Sequence, residues 1–265
     1  MSDAAFTGSI PEIYDRLLGP TLFEPFARDL ARRFQGFSGD LLETAAGTGR
    51  VTRALAEAAP GARIIATDLN DAMIARGAQL LSAPNVAWRQ ADAQALPFAA
   101  DSFDAVVCQF GVMFFPDKAA GYAEARRVLR PGGQFVFNVW DRLDVNALSQ
   151  AVHEAVTALF PDDPPGFMAR TPFGWYDEDP IRRGLADAGF ARVAVERVAL
   201  PTPAASARDF AAGMCTGSPL AGEIEARRPG GLAAVSDAVA DALARRFGPG
   251  PVAPGGQALV VTATL

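Results

Sequence analysis

Short hydrophobic runs rich in β-branched and aromatic residues alternate with helical patterns between residues 40 and 140. Five of these runs predict β-strands: Asp40–Thr44, Arg63–Thr67, Val86–Gln90, Phe103–Gln109 and Gln134–Val139. Three stretches between them predict helices: Gly49–Ala58, Asp71–Leu81 and Asp117–Leu129. Strands that alternate with helices in this way form stacked βαβ units, so the region predicts an α/β fold built on a parallel sheet.

Further elements are predicted before and after this region. Upstream, apolar residues at helical spacing predict a helix over Pro20–Gln35. Downstream, the pattern predicts two helices and two strands: Val145–Leu159, Asp179–Ala188, Arg192–Leu200 and Ala258–Thr264. The helical stretch Ala204–Phe247 lies between the last two strands. It is too long for a hairpin connection, so it predicts an inserted lobe.

Composition and charge narrow the choice of partners. The chain has 265 residues, of which 50% are hydrophobic, and a net charge of -6 from 24 Lys+Arg and 30 Asp+Glu. Proteins that bind nucleic acid normally carry a basic stripe, which this sequence lacks, so we expect no nucleic-acid partner. One histidine and two cysteines are too few for a metal site made of protein ligands, so no metal is expected. We find neither a signal-peptide pattern nor an apolar run of membrane-spanning length, and we expect a soluble, cytoplasmic protein without a membrane partner.

A turn of small residues follows the first predicted strand. It contains Ala45, Ala46, Gly47 and Gly49, and the helix that begins at its end presents unpaired backbone N–H groups. Because such a turn has no bulky side chains, a ligand can approach its backbone. A strand–helix turn without a ligand has the same appearance, so the turn alone does not establish a binding site.

Two aspartates follow the next two predicted strands. Asp68 lies 21 residues after Gly47, and a carboxylate at that place can accept hydrogen bonds from both hydroxyls of a ribose. Asp92 follows the third strand. A carboxylate there can accept a hydrogen bond from the adenine amino group, and the adjacent N–H of Ala93 can donate one to the adenine ring nitrogen. Either aspartate alone is equally typical of a solvated strand end or a helix cap. The turn and both acids, in this order at the carboxyl ends of strands, favour a nucleotide-binding edge.

The motifs around these residues resemble those of the class I S-adenosylmethionine-dependent methyltransferases over about residues 37–140. The matching segments are LLETAAGTGRVT, IIATDLNDAMI, RQADAQALPFAADSFDAVVCQFGVMFFPD and ARRVLRPGGQFVFNVW. The likeness is greatest to the small-molecule branch, which includes quinone-pathway and natural-product enzymes. The family usually has a glycine where this sequence has Ala45, and the methyl group leaves slightly less room beside a ligand.

The resemblance implies binding residues for each part of the cofactor S-adenosyl-L-methionine. The methionine part would lie against Ala45–Gly49, the ribose on Asp68 and the adenine amino group on Asp92. The other implied contacts are Leu69 and Met73 beside the adenine, Ala93 next to Asp92, and Gln109 and Phe110 at the methionyl end. Tyr14 lies in a segment that folds over the cofactor in similar methyltransferases, where its hydroxyl would bind the methionyl carboxylate or its ring would only pack. No catalytic residue is assigned, because His153 lies on a predicted helix where a packing or surface role is more typical than that of a base.

The resemblance also implies the architecture and the reaction. We expect a Rossmann-like, seven-stranded, mostly parallel sheet with helices on both faces, an N-terminal helical segment and a helical insertion before the last strand. Residues 1–36 would form a lid, residues 37–203 and 248–265 the cofactor-binding core, and residues 204–247 a lobe on the acceptor side. The expected enzyme transfers a methyl group directly, in line, to a small apolar or aromatic molecule. Whether it forms a homodimer stays open.

Aromatic and methionine residues outside the common sheet have two interpretations. They line the space for the methyl acceptor, or they form the core of their own lobe. These residues are Phe160, Phe167, Met168, Phe173, Trp175, Tyr176, Phe210 and Met214.

Two other functions match parts of the pattern. A nicotinamide dehydrogenase also has a glycine-rich turn followed by an acid, but Gly47–Thr52 lacks the third glycine of its motif, and Asp92 has no role in it. A non-catalytic protein that binds S-adenosylmethionine, as a sensor or a partner subunit, has the same binding residues. Only an assay of methyl transfer separates it from the enzyme.

Overall fold

A seven-stranded sheet is the main element of the structure, a computed structural model that describes residues 10–265. Its strands are β1 (Gly39–Glu43), β2 (Ala62–Asp68), β3 (Val86–Gln90), β4 (Phe103–Gln109), β5 (Leu129–Trp140), β6 (Arg192–Pro201) and β7 (Gly255–Thr264). Their order is β3-β2-β1-β4-β5-β7-β6. Neighbouring strands from β3 to β5 pair in parallel, whereas β7 runs antiparallel to β5. The predicted Rossmann-like, mostly parallel sheet is confirmed.

Helices connect the strands and continue beyond them. They are α1 (Ile10–Ile13), α2 (Glu24–Arg32), α3 (Arg50–Ala58), α4 (Asp71–Leu80), α5 (Lys118–Val128), α6 (Ala147–Leu159), α7 (Phe167–Arg170), α8 (Glu178–Asp187), α9 (Ala207–Thr216), α10 (Leu220–Arg227) and α11 (Leu232–Phe247). The helices α3, α4 and α5 lie within one or two residues of the bounds predicted from the sequence. The predicted insertion before the last strand consists of α9, α10 and α11.

The chain forms two compact units. The sheet unit comprises Ala27–Trp140, Trp175–Val198 and Ala258–Leu265. The helical unit comprises the described residues up to Phe26, together with Asp141–Gly174 and Ala199–Gln257. The predicted division into lid, core and acceptor-side lobe stays a prediction, and the part of the lid before residue 10 lies outside the described residues.

Strand β4 shows why the central strands are almost purely apolar. Val106, Val107 and Cys108 are consecutive residues, so their side chains alternate between the two faces of the sheet. All three are completely buried. Both faces of the sheet are therefore covered at this strand, as in other parallel sheets. Burial also raises the pKa of the Cys108 thiol to about 12, which keeps it an inert thiol at neutral pH.

The first helix differs from the one predicted over Pro20–Gln35. It begins earlier, and its segment Tyr14–Phe23 is a π-helix between α1 and α2. Pro20 lies inside this segment and has no N–H to donate to the preceding turn. A wider helical turn accommodates such an interruption, and the Glu24 N–H accordingly reaches back five residues to the carbonyl of Gly19.

Strand β5 also begins earlier than predicted. Phe103 pairs with Leu129, and the register resumes with Ala105 opposite Gln134. The segment 130–133 therefore forms a bulge within the strand, with Gly132 at a φ of 80°. The sequence Pro131-Gly132-Gly133, which follows the predicted helix Asp117–Leu129, supplies this bulge.

In the helical unit, α9 packs closely against the end of α1 and the π-helical segment. A Cβ at Gly213 would lie 2.7 Å from a methyl carbon of Leu18, and one at Gly217 would lie 2.8 Å from Cγ2 of Ile13. Glycine at both positions therefore permits the approach.

Within residues 10–265, no helix is both long and apolar enough to cross a membrane.

In the sheet unit, the indole of Trp88 on β3 lies between two glycines. A Cβ at Gly77 in α4 would lie 2.5 Å from two carbons of the indole ring, and one at Gly49, just before α3, would also overlap the ring. Trp88 thus fixes the start of α3 relative to α4, and this contact requires glycine at both positions.

We predict that Gly77→Ala lowers the free energy of unfolding by about 1–3 kcal/mol, because the added methyl group overlaps the Trp88 ring. In an unobstructed helix the same change stabilises by about 0.5–1 kcal/mol, so the sign of the effect in urea titrations is decisive. In a Trp88→Phe background the shorter ring should remove most of the penalty. Stabilisation by Gly77→Ala in the otherwise unaltered chain would show that the ring moves aside.

Candidate functional site

The carboxyl ends of β1, β2, β3 and β4 lie along one edge of the sheet. Parallel pairing places Glu43 beside Ala66 of β2 and Val107 of β4. It also places Asp68 beside Gln90 at the end of β3. The small-residue turn and both predicted aspartates directly follow these strand ends or form them. The structure therefore brings the three predicted elements to the same edge, within the sheet unit.

The turn after β1 has a left-handed backbone at three positions. Ala45, Gly47 and Gly49 have φ angles of 52°, 56° and 81°. An alanine in this region is strained by about 1 kcal/mol. A Cβ at Gly111 would lie 2.5 Å from Cβ of Ala45, so the loop after β4 passes directly against the turn. At Gly47, no atom of the described residues lies within 4 Å of a Cβ position, which leaves open space beside the backbone.

Asp68 joins the end of β2 to this turn. Its Oδ2 accepts a hydrogen bond from the Gly47 N–H, and its Oδ1 accepts one from the Asn70 N–H, each at 2.8 Å. Burial raises the pKa of the Asp68 carboxyl, while the bonds from Asn70 and Gly47 oppose that rise. A carboxylate oxygen has two lone pairs, so Oδ2 retains the capacity to accept from a ligand hydroxyl.

Asp92 is fixed by the turn that follows it. Its Oδ1 accepts from the Gln94 N–H at 2.8 Å and from Gln94 Nε2 at 3.2 Å. Both bonds are to Oδ1, and Asp92 Oδ2 has no hydrogen-bond partner among residues 10–265. The carboxylate is half-buried, as is the neighbouring Ala93. An oriented acceptor with one open oxygen is suited to an amino group such as that of adenine.

Leu69 and Met73 differ in exposure. The Leu69 side chain is 49% exposed, and its backbone carbonyl accepts a hydrogen bond from Gln90 Nε2 at 3.1 Å. Met73, in the first turn of α4, is buried. Of these two residues, Leu69 is therefore the one with an exposed apolar side chain.

Gln109 and Phe110 lie at the end of β4. Gln109 pairs with Asn138 of β5 and is half-buried. The Phe110 N–H donates to both the backbone carbonyl and Oδ1 of Asn138, each at 3.0 Å. Its ring stacks on Trp140 with centroids 3.8 Å apart and planes 9° apart. These contacts hold Phe110, which has a φ of 49°, rigidly at the site edge.

Two buried polar side chains at this edge were not predicted from the sequence as part of the site. Glu43 Oε2 and Asn138 Nδ2 have no hydrogen-bond partner among the described residues, although both side chains are at most 1% exposed. Burial raises the pKa of the Glu43 carboxyl to about 8, despite the lowering effect of nearby Thr52 and Arg53. An unpaired buried polar group costs about 1–3 kcal/mol, so a ligand that pairs with either group gains that amount. The signal in the sequence was an acid at the end of the apolar run Leu41–Leu42.

The remaining predicted residues lie mostly in the helical unit. Tyr14 stacks on Phe23 with ring centroids 4.8 Å apart, and burial lowers the pKa of His153. The roles of Tyr14 at the cofactor and of His153 as a base stay predictions.

The aromatic and methionine residues considered for the acceptor space are largely buried. Six of them are buried in the helical unit: Phe160, Phe167, Met168, Phe173, Phe210 and Met214. In the sheet unit, Trp175 Nε1 donates to the Tyr122 hydroxyl at 3.3 Å, and Lys118 Nζ lies 4.7 Å from the centre of the Trp175 ring. This burial favours a packing role for the six residues of the helical unit, whereas Trp175 is half-buried and Tyr176 is 41% exposed.

Comparison with known proteins identifies the family. A family model described as a methyltransferase domain matches residues 42–137. The demethylmenaquinone methyltransferase of Thermobifida fusca is 30% identical over 207 residues, which cover 72% of this chain and 87% of that protein. The chain belongs to the class I S-adenosylmethionine-dependent methyltransferases. The family predicted from the motifs is confirmed.

Two further methyltransferases are similar to this chain, one in sequence and one in structure. The ubiquinone/menaquinone biosynthesis C-methyltransferase UbiE of Paracoccus denitrificans is 38% identical over 112 residues. That match covers 41% of this chain and 45% of the relative, so the chain spans less than half of the relative's length. The structure of Haemonchus contortus phosphoethanolamine N-methyltransferase 2 in complex with S-adenosyl-L-methionine aligns with a TM-score of 0.60 at 15% identity, over 96% of this chain and 56% of that one. At this identity the likeness shows the fold alone.

S-adenosyl-L-methionine is the cofactor of this methyltransferase family, and the polar groups at the site fit its parts. Asp68 and Asp92 each present an acceptor oxygen, which suits ribose hydroxyls and an adenine amino group. The unpaired Glu43 Oε2 suits a cationic donor such as an ammonium group. The open space beside Gly47 lets a ligand reach the backbone of the turn.

We predict that the ligand-free methyltransferase loses stability as pH rises from about 4.5 to about 8, because only the folded state retains the Glu43 proton in that window. Glu43→Gln removes this ionisation. Over the same pH window, the variant should therefore lose less unfolding free energy than the unaltered chain, by on the order of a few kcal/mol. Urea titrations at several pH values measure the difference. Glu57→Gln, an exposed position on α3, is the matched control and should leave the profile unchanged. The same pH profile in Glu43→Gln and in the unaltered chain would contradict a protonated, buried Glu43.

Proposed function

We propose that this chain transfers the methyl group of S-adenosyl-L-methionine directly to a small, apolar or aromatic molecule. The observation that carries the proposal is the hydrogen bond between the Gly47 N–H, in the turn after β1, and Asp68. Asp92 lies at the same edge of the sheet. The hydrogen bond holds a ribose acceptor and the glycine turn in one rigid arrangement. The proposal rests on the family and on this arrangement.

The adenosyl part is held by residues that follow β2 and β3. Asp68 accepts from the ribose hydroxyls through the capacity left on its oxygens, and Asp92 accepts from the adenine amino group. Leu69, which is half-exposed, packs on the adenine ring. Each of these contacts uses a group that the rest of the protein already orients, so little ordering is required when the cofactor binds.

The methionyl part is held by the turn and by Glu43. The backbone N–H groups at the start of α3 suit the carboxylate of the methionyl group, since a helix N-terminus favours negative charge. Glu43 faces the ammonium group, which replaces the proton that burial otherwise holds on this side chain. Gln109 lies at the end of β4 beside this part of the site.

The cofactor supplies an activated methyl group, so the chain's residues chiefly orient the reactants and exclude water. Phe110, stacked on Trp140, forms a flat apolar wall at the end of β4. Direct displacement requires neither a covalent intermediate nor a nucleophilic side chain. The buried Cys108 is accordingly left without a role in the chemistry.

The acceptor class is supported by the relatives and by charge. The T. fusca and P. denitrificans relatives are named for methylation in menaquinone and ubiquinone biosynthesis. These names favour a small-molecule acceptor for this chain too. The net charge of -6 disfavours RNA as an acceptor.

The proposal is tested by calorimetry with S-adenosylmethionine, followed by methyl-transfer assays on hydroxylated aromatic and quinol compounds. We expect binding and turnover on at least one member of this panel, with equimolar formation of S-adenosylhomocysteine. Binding without turnover on any acceptor would instead support a sensor or partner subunit. Absence of binding would reject both functions.

We predict that Asp68→Ala weakens binding of S-adenosylmethionine by about 1–3 kcal/mol, or about 5- to 150-fold, because ribose hydroxyls lose their acceptor. Calorimetry on the folded variant measures this change. Asp104→Ala is the control: this aspartate lies near the start of β4, at the opposite edge, where it binds Arg130 at 2.7 Å. Its affinity for the cofactor should be unchanged. Equal losses in both variants would show that the Asp68 effect is not local to the site.

A further inference from the structure

Gln94 contacts the Asp92 carboxylate through two separate donors. Its backbone N–H donates to Asp92 Oδ1 at 2.8 Å and its side-chain Nε2 donates to the same oxygen at 3.2 Å. The backbone bond alone would form a common aspartate turn. The side-chain bond adds a second direction of support, which fixes the rotation of the carboxylate and directs Oδ2 away from Gln94.

The other end of the Gln94 amide is anchored to α5. Gln94 Oε1 accepts the Asp117 N–H at 2.8 Å. Asp117 is the N-cap of α5, and its Oδ1 accepts the Ala120 N–H at 3.0 Å. The Gln94 side chain thus connects a helix start to Asp92, with its donor and its acceptor both in use.

The same helix holds the rest of this segment at two further points. Glu124 Oε2 accepts the Leu96 N–H at 2.6 Å. Arg127 donates to the carbonyls of Leu96 and Phe98 at 3.0 and 2.8 Å, and also binds Glu124. Contact with Arg127 lowers the pKa of Glu124, so this acceptor stays ionised at neutral pH. Residues 94–98 are therefore fixed to α5 whatever residue occupies position 94.

We propose that Gln94 is a positioning residue that orients the Asp92 carboxylate toward the adenine amino group and so sets the preference of the site for adenosyl over inosyl ligands. The inference rests on the proposed function, because it assigns the adenine to Asp92. An inosyl ligand carries an oxygen in place of the amino group. That oxygen meets Asp92 Oδ2 as acceptor against acceptor, a mismatch that an oriented carboxylate penalises more than a rotating one.

The test compares binding of S-adenosylhomocysteine and S-inosylhomocysteine by calorimetry. The unaltered chain should prefer the adenosyl ligand by at least about tenfold, since a buried acceptor left unpaired is costly. Gln94→Met has a side chain of similar length without donor or acceptor, and should reduce this preference at least threefold. Gln90→Met is the matched control: Gln90 holds the Leu69 carbonyl instead, so the variant should change both affinities by the same factor.

The outcomes separate the inference from the proposed function. If the unaltered chain binds neither ligand, or binds both equally, the assignment of adenine to Asp92 fails. If the unaltered chain discriminates but Gln94→Met discriminates equally well, or weakens both ligands by one factor, the positioning role of Gln94 is overturned. Thermal melting confirms that the variant is folded, and Gln94→Leu serves in its place if Gln94→Met is not.

Discussion

The hydrogen bond from the Gly47 N–H to Asp68 Oδ2 connects the turn after β1 to the end of β2, the two parts of the site to which we assign opposite ends of the cofactor. The turn after β1 has left-handed residues at three positions, including an alanine, and such a turn needs external support. Asp68 provides that support while remaining an acceptor. One buried carboxylate therefore supports the turn and, under the proposed function, also accepts the ribose hydroxyls, although burial opposes its charge.

The site also holds polar groups that the protein itself leaves unsatisfied. Glu43 Oε2, at the end of β1, and Asn138 Nδ2, in β5 beside the end of β4, are buried without partners in the described part of the chain. Most buried polar groups are hydrogen-bonded, so a polar ligand at this edge would gain free energy by pairing with either of these groups. The proposed adenosyl side differs, because Gln94 already satisfies one oxygen of Asp92 there, and the Asp117 N–H at the start of α5 holds Gln94 in turn.

The hydrophobic pattern predicted every strand of the sheet. Central strands such as β4 are almost purely apolar because they are buried on both faces, whereas the edge strands β3 and β6 are largely exposed and carry charged residues. The pattern did not predict the π-helical segment Tyr14–Phe23 or the bulge in β5, since both arise from packing and register rather than from local periodicity. The turn, Asp68 and Asp92 were found by their place after successive strands. Glu43 and Gln94 were not, because burial without a partner and a bond between sequentially distant residues appear only in three dimensions.

A crystal structure of this chain with S-adenosylhomocysteine is the most direct test of the cofactor contacts assigned to Asp68, Asp92 and Glu43. We expect the ribose hydroxyls within hydrogen-bonding distance of Asp68, the adenine amino group on Asp92 Oδ2, and the homocysteine ammonium facing Glu43. A ligand bound away from the carboxyl ends of β1, β2 and β3, or an adenine whose amino group points away from Asp92, would contradict this assignment.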